Sequence, residues 1–144
     1  FVDVDHFKDV NETYGFEAGD YILKEISMII VENMRNTDFC SRYSGERFVV
    51  VLPDTHNANS EVMANRLRRF VENHSFKIPS ANVFAKVSVS IGVSSFLEHS
   101  PSSLAQFIEF ADTALYFAKR NGRNQVVNYS YVLDLMIGDS GHEG

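Results

Sequence analysis

Arg42-Tyr43-Ser44-Gly45-Glu46-Arg47-Phe48-Val49-Val50-Val51-Leu52-Pro53 is the stretch on which the fold reading turns. Phe39 to Tyr43 and Phe48 to Leu52 are two short strand-forming runs, and the Ser44-Gly45-Glu46 between them predicts a hairpin. The uninterrupted Phe48–Leu52 run reads as a central strand covered on both faces. Pro53 ends it, because proline has no N–H for a ladder.

Upstream, residues 19 to 35 carry Ile22, Leu23, Ile26, Ile29, Ile30 and Met34 at three- and four-residue spacing, which predicts an amphipathic helix. His6 to Glu12 is short and polar and fits one turn of helix, and Phe1 to Val4 read as the end of a strand. Downstream, Ser60 to His74 forms a second helix on Met63, Leu67, Phe70 and Val71. Val87, Val89, Ile91 and Val93 alternate with Ser88, Ser90, Gly92 and Ser94, the pattern of a half-buried strand. A third helix covers Ser103 to Arg120 and stops at Asn121-Gly122. Gln125 to Tyr129 is then a last edge strand, and Gly138 to Gly144 reads as a flexible tail. This alternation, with one antiparallel hairpin, places the chain in the α/β class, helices packed on one mixed or antiparallel sheet.

The composition narrows the function. At 144 residues and 44% hydrophobic content the chain can build one sizeable core. A net charge of −6 argues against general nucleic-acid binding, which needs a basic face. Cys40 is the single cysteine, so no intrachain disulfide framework exists and a reducing cytoplasm is expected. No apolar run approaches the roughly 18 residues that span a bilayer, so no direct membrane contact is expected of this segment. The chain opens on Phe1-Val2-Asp3-Val4 without Met and is read as part of a longer protein, with any sensor, anchor or attached domain outside it.

Asp3-Val4-Asp5 is the first candidate site, since two carboxylates on one face of a strand end, with a carbonyl between them, suit a hard cation. A solvated strand end explains the same three residues. Lys8 can meet a phosphate or be an ordinary surface lysine. Asn11 and Asp20 match the hydrogen-bonding edge of guanine, yet also fit a turn and a helix start. Lys119 and Arg123 straddle a helix C-terminus, where cations favour the dipole without any ligand.

Taken together these residues follow one pattern. Asp3-x-Asp5-x-Phe7-Lys8-x-x-Asn11-x-x-x-Gly15-x-x-x-Gly19-Asp20 resembles the opening motif of GGDEF domains. Arg42 to Phe48 with Leu52-Pro53-x-Thr55 resembles their signature hairpin, and Val87-Ser88-Val89-Ser90-Ile91-Gly92 their later strand. Ala111-Asp112-x-Ala114-Leu115-Tyr116-x-Ala118-Lys119-x-x-Gly122-Arg123-Asn124 is similar to their C-terminal helix. The resemblance implies a palm-like ferredoxin-type fold, a mostly antiparallel sheet flanked by helices, over residues 1–130, with 131–144 a tail or linker. It also implies a diguanylate cyclase, in which a homodimer brings two GTP together and Mg²⁺ activates the 3′-hydroxyl to form cyclic di-GMP. Carried across, Asp3, the Val4 carbonyl and Glu46 would hold metal, with Glu46 the catalytic acid of the hairpin. Asn11 and Asp20 would read guanine; the backbone near His6 and Phe7, with Lys8, Lys119 and Arg123, would hold phosphates; Gly45 would let the hairpin approach the nucleotide closely.

The hairpin departs from the family at two positions. Ser44 stands where the family has its first glycine, and Arg47 where it has a metal-binding acid. At ~5 Å and an effective dielectric of about 20, each unit-charge pair is worth on the order of 3 kcal/mol, so this sign reversal is expected to impair metal binding and catalysis. Arg35-x-x-Asp38, with five residues between Asp38 and Ser44, matches the family's inhibitory site, with Arg66 on the next helix completing it. There the arginine forks onto a phosphate or guanine edge and the acid accepts from guanine N–H groups. Three functions follow: a degenerate domain that binds cyclic di-GMP as receptor or regulator, a weakly active cyclase, or a GTP-binding or dimerising module that controls an attached domain.

Overall fold

Strand β1 (Val2–Val4) is the middle of a five-stranded sheet, and Val2 and Val4 are almost wholly shielded from solvent. The structure is a computed structural model and describes residues 1–139. Around β1 the chain folds in the order α1 (Phe7–Tyr14), α2 (Phe16–Glu32), β2 (Phe39–Ser44), β3 (Arg47–Val51), α3 (Asn57–Asn73), β4 (Phe76–Ile78), β5 (Val83–Ala85), β6 (Val89–Val93), α4 (Phe96–His99), α5 (Leu104–Arg120), β7 (Val126–Asn128) and α6 (Tyr129–Asp139). The sheet order is β2-β3-β1-β6-β7, antiparallel throughout except for the parallel β6–β7 pair. Strands β4 and β5 form a separate two-stranded hairpin.

The main core lies between the sheet and helices α2 and α3. Ile22, Leu23, Ile26 and Ile30 of α2, Leu67 and Val71 of α3, and Val89 and Ile91 of β6 form one buried cluster. Helix α5 crosses β6 so closely that a methyl group on Gly92 would fall 2.2 Å from the Ala111 carbonyl oxygen. That approach sets α5, and with it Asp112 and Lys119, over the end of β1.

The helices at 19–35, 60–74 and 103–120, the hairpin and the strands ending at 93 and 129 all form within a few residues of their expected bounds. Four features differ. Strand β6, expected to be half-buried, is buried at all five positions, because Val89 and Ile91 face the main core while α5 packs on Gly92. Strand β3 is not covered on both faces: Phe48 is buried, but Val51, at the end away from the turn, is 49% exposed opposite the exposed Phe39 of the edge strand β2. The hairpin β4–β5 and the four-residue α4 were not anticipated, being too short to complete a recognisable period. And the chain does not leave the fold at residue 131. Helix α6 follows β7 directly, with Tyr129 and Val132 buried in a second cluster with Ala114 and Ala118 of α5. Among its residues of described burial, Tyr129 and Val132 alone are buried, so no stripe marks it in the sequence. Residues 140–144 of the expected tail lie outside the described residues. Among the described residues no helix is long and apolar enough to cross a membrane.

Candidate functional site

Asp3 lies directly opposite Arg47 of β3 in the ladder and opposite Ser90 of β6 on its other side. Neither carboxylate of the Asp-Val-Asp run is a solvated strand end: Asp3 is 5% and Asp5 3% exposed. Each is held by a different set of partners. The Arg47 Nε donates to Asp3 Oδ2 at 3.2 Å, and the Lys119 Nζ donates to Asp3 Oδ1 at 2.5 Å. Arg47 continues outward, its Nη1 donating to Asp112 Oδ1 at 2.6 Å, with its guanidinium 5.4 Å from the centre of the Phe1 ring. Burial pulls the Arg47 pKa down, but the hydrogen bonds to Asp112 and Asp3 outweigh it and leave the guanidinium above its ordinary value. Asp5 accepts from the hydroxyls of Ser88 at 2.7 Å and Ser90 at 2.6 Å and from the backbone N–H of Asn124 at 3.0 Å, with the Lys119 Nζ 4.0 Å away.

The other expected residues gather at the same end of the sheet. Val4 is buried, and its N–H donates to the Glu46 carbonyl at 3.2 Å, which ties the hairpin tip to β1. Glu46 itself is half-buried in the turn, and Gly45 holds a left-handed φ of 47° there, with open space around it. His6, also left-handed, starts α1; Phe7 and Lys8 follow in its first turn, where backbone N–H groups lack intrahelical partners. Lys8 projects into solvent 3.7 Å from Glu12. Arg123 is exposed on the turn after α5, with its N–H bonded to the Ala118 carbonyl.

Asn11 carries a different signal. Its Oδ1 is buried and has no hydrogen-bond partner among the described residues, and buried polar atoms are rarely left so. The carboxamide lies on Gly19, where any Cβ would sit 1.9 Å from that oxygen. Asp20 is exposed one residue further along α2. An acceptor with no protein donor, beside an exposed carboxylate on the next helix, suits a ligand that presents N–H groups, as the edge of guanine does.

A second group forms at the turn between α2 and β2. The Arg35 N–H donates to Asp38 Oδ2 at 2.8 Å and its Nη2 to Asp38 Oδ1 at 2.9 Å, to the Thr55 hydroxyl at 2.6 Å and to the Pro53 carbonyl at 3.1 Å. These bonds hold the Asp38 carboxyl below the ordinary carboxylate range. The Asp38 side chain is 2% exposed, against 55% for Arg35. In this structure both carboxylate oxygens of Asp38, the acid expected to accept from guanine N–H groups, accept from Arg35 and orient it. Arg66 of α3 lies across the same turn, its Nη2 3.5 Å from the Asn33 carbonyl.

Mg²⁺ does not fit the residues present. Both oxygens of Asp3 are occupied by cationic groups, and among the described residues no group of three or more His, Cys, Asp or Glu side chains could hold a metal. Two like charges about 4 Å apart repel by ~4 kcal/mol at an effective dielectric of about 20, so Arg47 and Lys119 oppose a divalent ion at Asp3. Sequence reasoning assigned no role to Asp112, although it lies seven residues, two helical turns, before Lys119 on one face of α5. It also missed Asn124, whose left-handed φ of 46° aims its N–H at Asp5.

The comparisons agree with this geometry. The model of the diguanylate cyclase GGDEF domain matches residues 1–125. Diguanylate cyclase A of Treponema denticola is 42% identical over 125 residues, 87% of this chain and 33% of that protein. The response regulator PleD of Caulobacter vibrioides is 37% identical over 88% of this chain and 28% of its own length. The chain thus spans a third or less of these relatives. The GGDEF domain of DgcB from Caulobacter crescentus, solved in complex with c-di-GMP, superposes with a TM-score of 0.83 at 30% identity, covering 90% of this chain and 75% of that one. An active GGEEF domain of a diguanylate cyclase from Vibrio cholerae gives a TM-score of 0.80 at 34% identity, over 89% and 79% of the two chains. With the palm-like sheet, the Asp-Val-Asp strand end and the hairpin opposite it all in place, the chain belongs to the GGDEF domain family of diguanylate cyclases.

Proposed function

We propose that this chain is a degenerate GGDEF domain, a cytoplasmic module that binds cyclic di-GMP through Arg35 and Arg66 and regulates an attached domain instead of condensing GTP. The observation that carries this reading is Arg47, whose guanidinium bridges Asp3 and Asp112 at 3.2 and 2.6 Å. The carboxylate that would hold metal is thereby neutralised from within. The distal arginine, by contrast, is prepared for an anion. Asp38, Pro53 and Thr55 fix Nε and Nη2, while Nη1 has no hydrogen-bond partner among the described residues and the side chain is 55% exposed. A guanidinium held in one orientation loses little entropy on taking a phosphate. The DgcB domain was solved with cyclic di-GMP, which supports the ligand class.

Calorimetric titration of the full chain with cyclic di-GMP tests this. We expect saturable heat, and Arg35→Ala weakening the affinity by about tenfold or more. No heat at high-micromolar ligand, or an unchanged Arg35→Ala, sinks the proposal. Incubation with GTP and Mg²⁺ or Mn²⁺ should yield no cyclic di-GMP; product would favour an active cyclase. A second reading, GTP binding without turnover, is favoured by the unpartnered Asn11 Oδ1 seated on Gly19.

A further inference from the structure

We infer that Arg47 is a built-in cation that replaces the divalent metal, so that the carboxylate face of this domain binds a nucleoside triphosphate without metal. The inference rests on the reading of that face as a GTP site and adds to it the source of the positive charge. Strand register delivers Arg47 to the spot: its Cα pairs with that of Asp3 across β1 and β3. Nε and Nη1 are committed to Asp3 and Asp112, while Nη2 has no hydrogen-bond partner among the described residues. The side chain is 27% exposed, so part of it remains open to solvent. With two nitrogens fixed by carboxylates, the remaining Nη2 keeps two N–H groups that can donate to phosphate oxygens. Lys119 adds a second fixed charge, since one of its three donors goes to Asp3 at 2.5 Å and the side chain is also 27% exposed.

The surroundings favour phosphate over metal for the same reason. A hard cation needs several oxygen ligands, and here the one strand-end carboxylate facing Arg47 already carries two cations. Asp5 is likewise saturated, by two hydroxyls and a backbone N–H. The groups left for phosphate oxygens are the remaining N–H donors of Arg47 and Lys119, each side chain 27% exposed, and the first turn of α1, which begins two residues after Asp5. The carboxylates beneath hold the two cations in place, as buried counter-ions do at preorganised anion sites.

Titrating the full chain with GTP by calorimetry, once in excess EDTA and once in excess Mg²⁺, decides the matter. The affinity in EDTA should equal or exceed that in Mg²⁺. In a parallel titration followed by electron paramagnetic resonance, the protein without nucleotide should leave the free Mn²⁺ signal undiminished. Arg47→Gln should weaken GTP binding in EDTA by about tenfold or more, and Arg47→Lys, which keeps the charge, should restore most of it. Arg47→Glu should gain Mn²⁺ binding. If Arg47→Gln fails to fold, as judged by circular dichroism, Arg47→Lys and the wild-type metal comparison still decide. Wild-type affinity at least about tenfold weaker in EDTA, Mn²⁺ bound by the wild type, or no GTP binding in either buffer would each overturn the inference. Cyclic di-GMP titrated into the same samples should bind the Arg47 variants and wild type alike. Failure of that arm alone strikes the distal-site proposal and leaves this one standing.

Discussion

Asn11 and Gly19 show how one missing atom shapes a site. The Asn11 carboxamide occupies the space a side chain at position 19 would need, 1.9 Å from the Cβ position, and Phe7 Cζ would be 3.0 Å from the same Cβ. Both neighbours are the far ends of flexible side chains, so Gly19→Ala can be accommodated by swinging the carboxamide away. Alanine also favours a helix interior by about 0.5–1 kcal/mol over glycine. The two effects offset, and the melting temperature of Gly19→Ala should stay close to wild type. GTP affinity, in contrast, should fall about tenfold as the aimed acceptor is lost, read by calorimetry. A variant that binds GTP normally would remove Asn11 from the base-reading role. Arg47 is the opposite case, a residue whose presence alters the site. Its charge partners lie 44 and 65 positions away in the chain, so its identity was legible in the sequence while its engagement with both was not.

At the scale of elements, His99 joins three of them. Its Nδ1 accepts the Ser95 N–H at 2.9 Å before α4, and its Nε2 lies 2.8 Å from the Ser130 hydroxyl of α6. The ring also packs edge-on against Phe110 of α5 and Tyr129. Burial lowers its pKa below 6.5, against a weak opposing pull from Glu98. The neutral ring keeps both contacts; the protonated ring loses Nδ1 as an acceptor. The unfolded chain therefore binds the proton more readily, and stability contributed by this junction is complete above pH 6.5 and is lost as the pH falls from 6.5 through the lowered value of the folded state. Thermal melts across that interval should show the decline, and His99→Gln should flatten it. An unchanged slope would mean that other groups set the pH dependence. These short elements escaped the sequence reading because α4 spans four residues and β4 and β5 three each, less than the periodicity needs to declare itself.

Across the whole molecule the described residues form two apolar clusters, one between the sheet and helices α2 and α3, the other between α5, β7 and α6. The second makes α6 part of the fold. Val132 is fully buried there, and Val132→Ala should lower stability by about 1–3 kcal/mol, measured by denaturant unfolding. An effect near zero would return residues past 130 to the status of a linker. The three long helices α2, α3 and α5, the signature hairpin, the order of the five sheet strands along the chain and the family itself were determined by the sequence alone, because periodicity, turn chemistry and motif spacing are local properties of a chain. The tertiary structure alone decided how the charges pair. It set Asp3 between Arg47 and Lys119, partners 44 and 116 residues away, and sank Asp38 beneath Arg35. Strand register and the crossing of α5 over Gly92 bring those groups within hydrogen-bonding distance, and neither is written in any local run of residues.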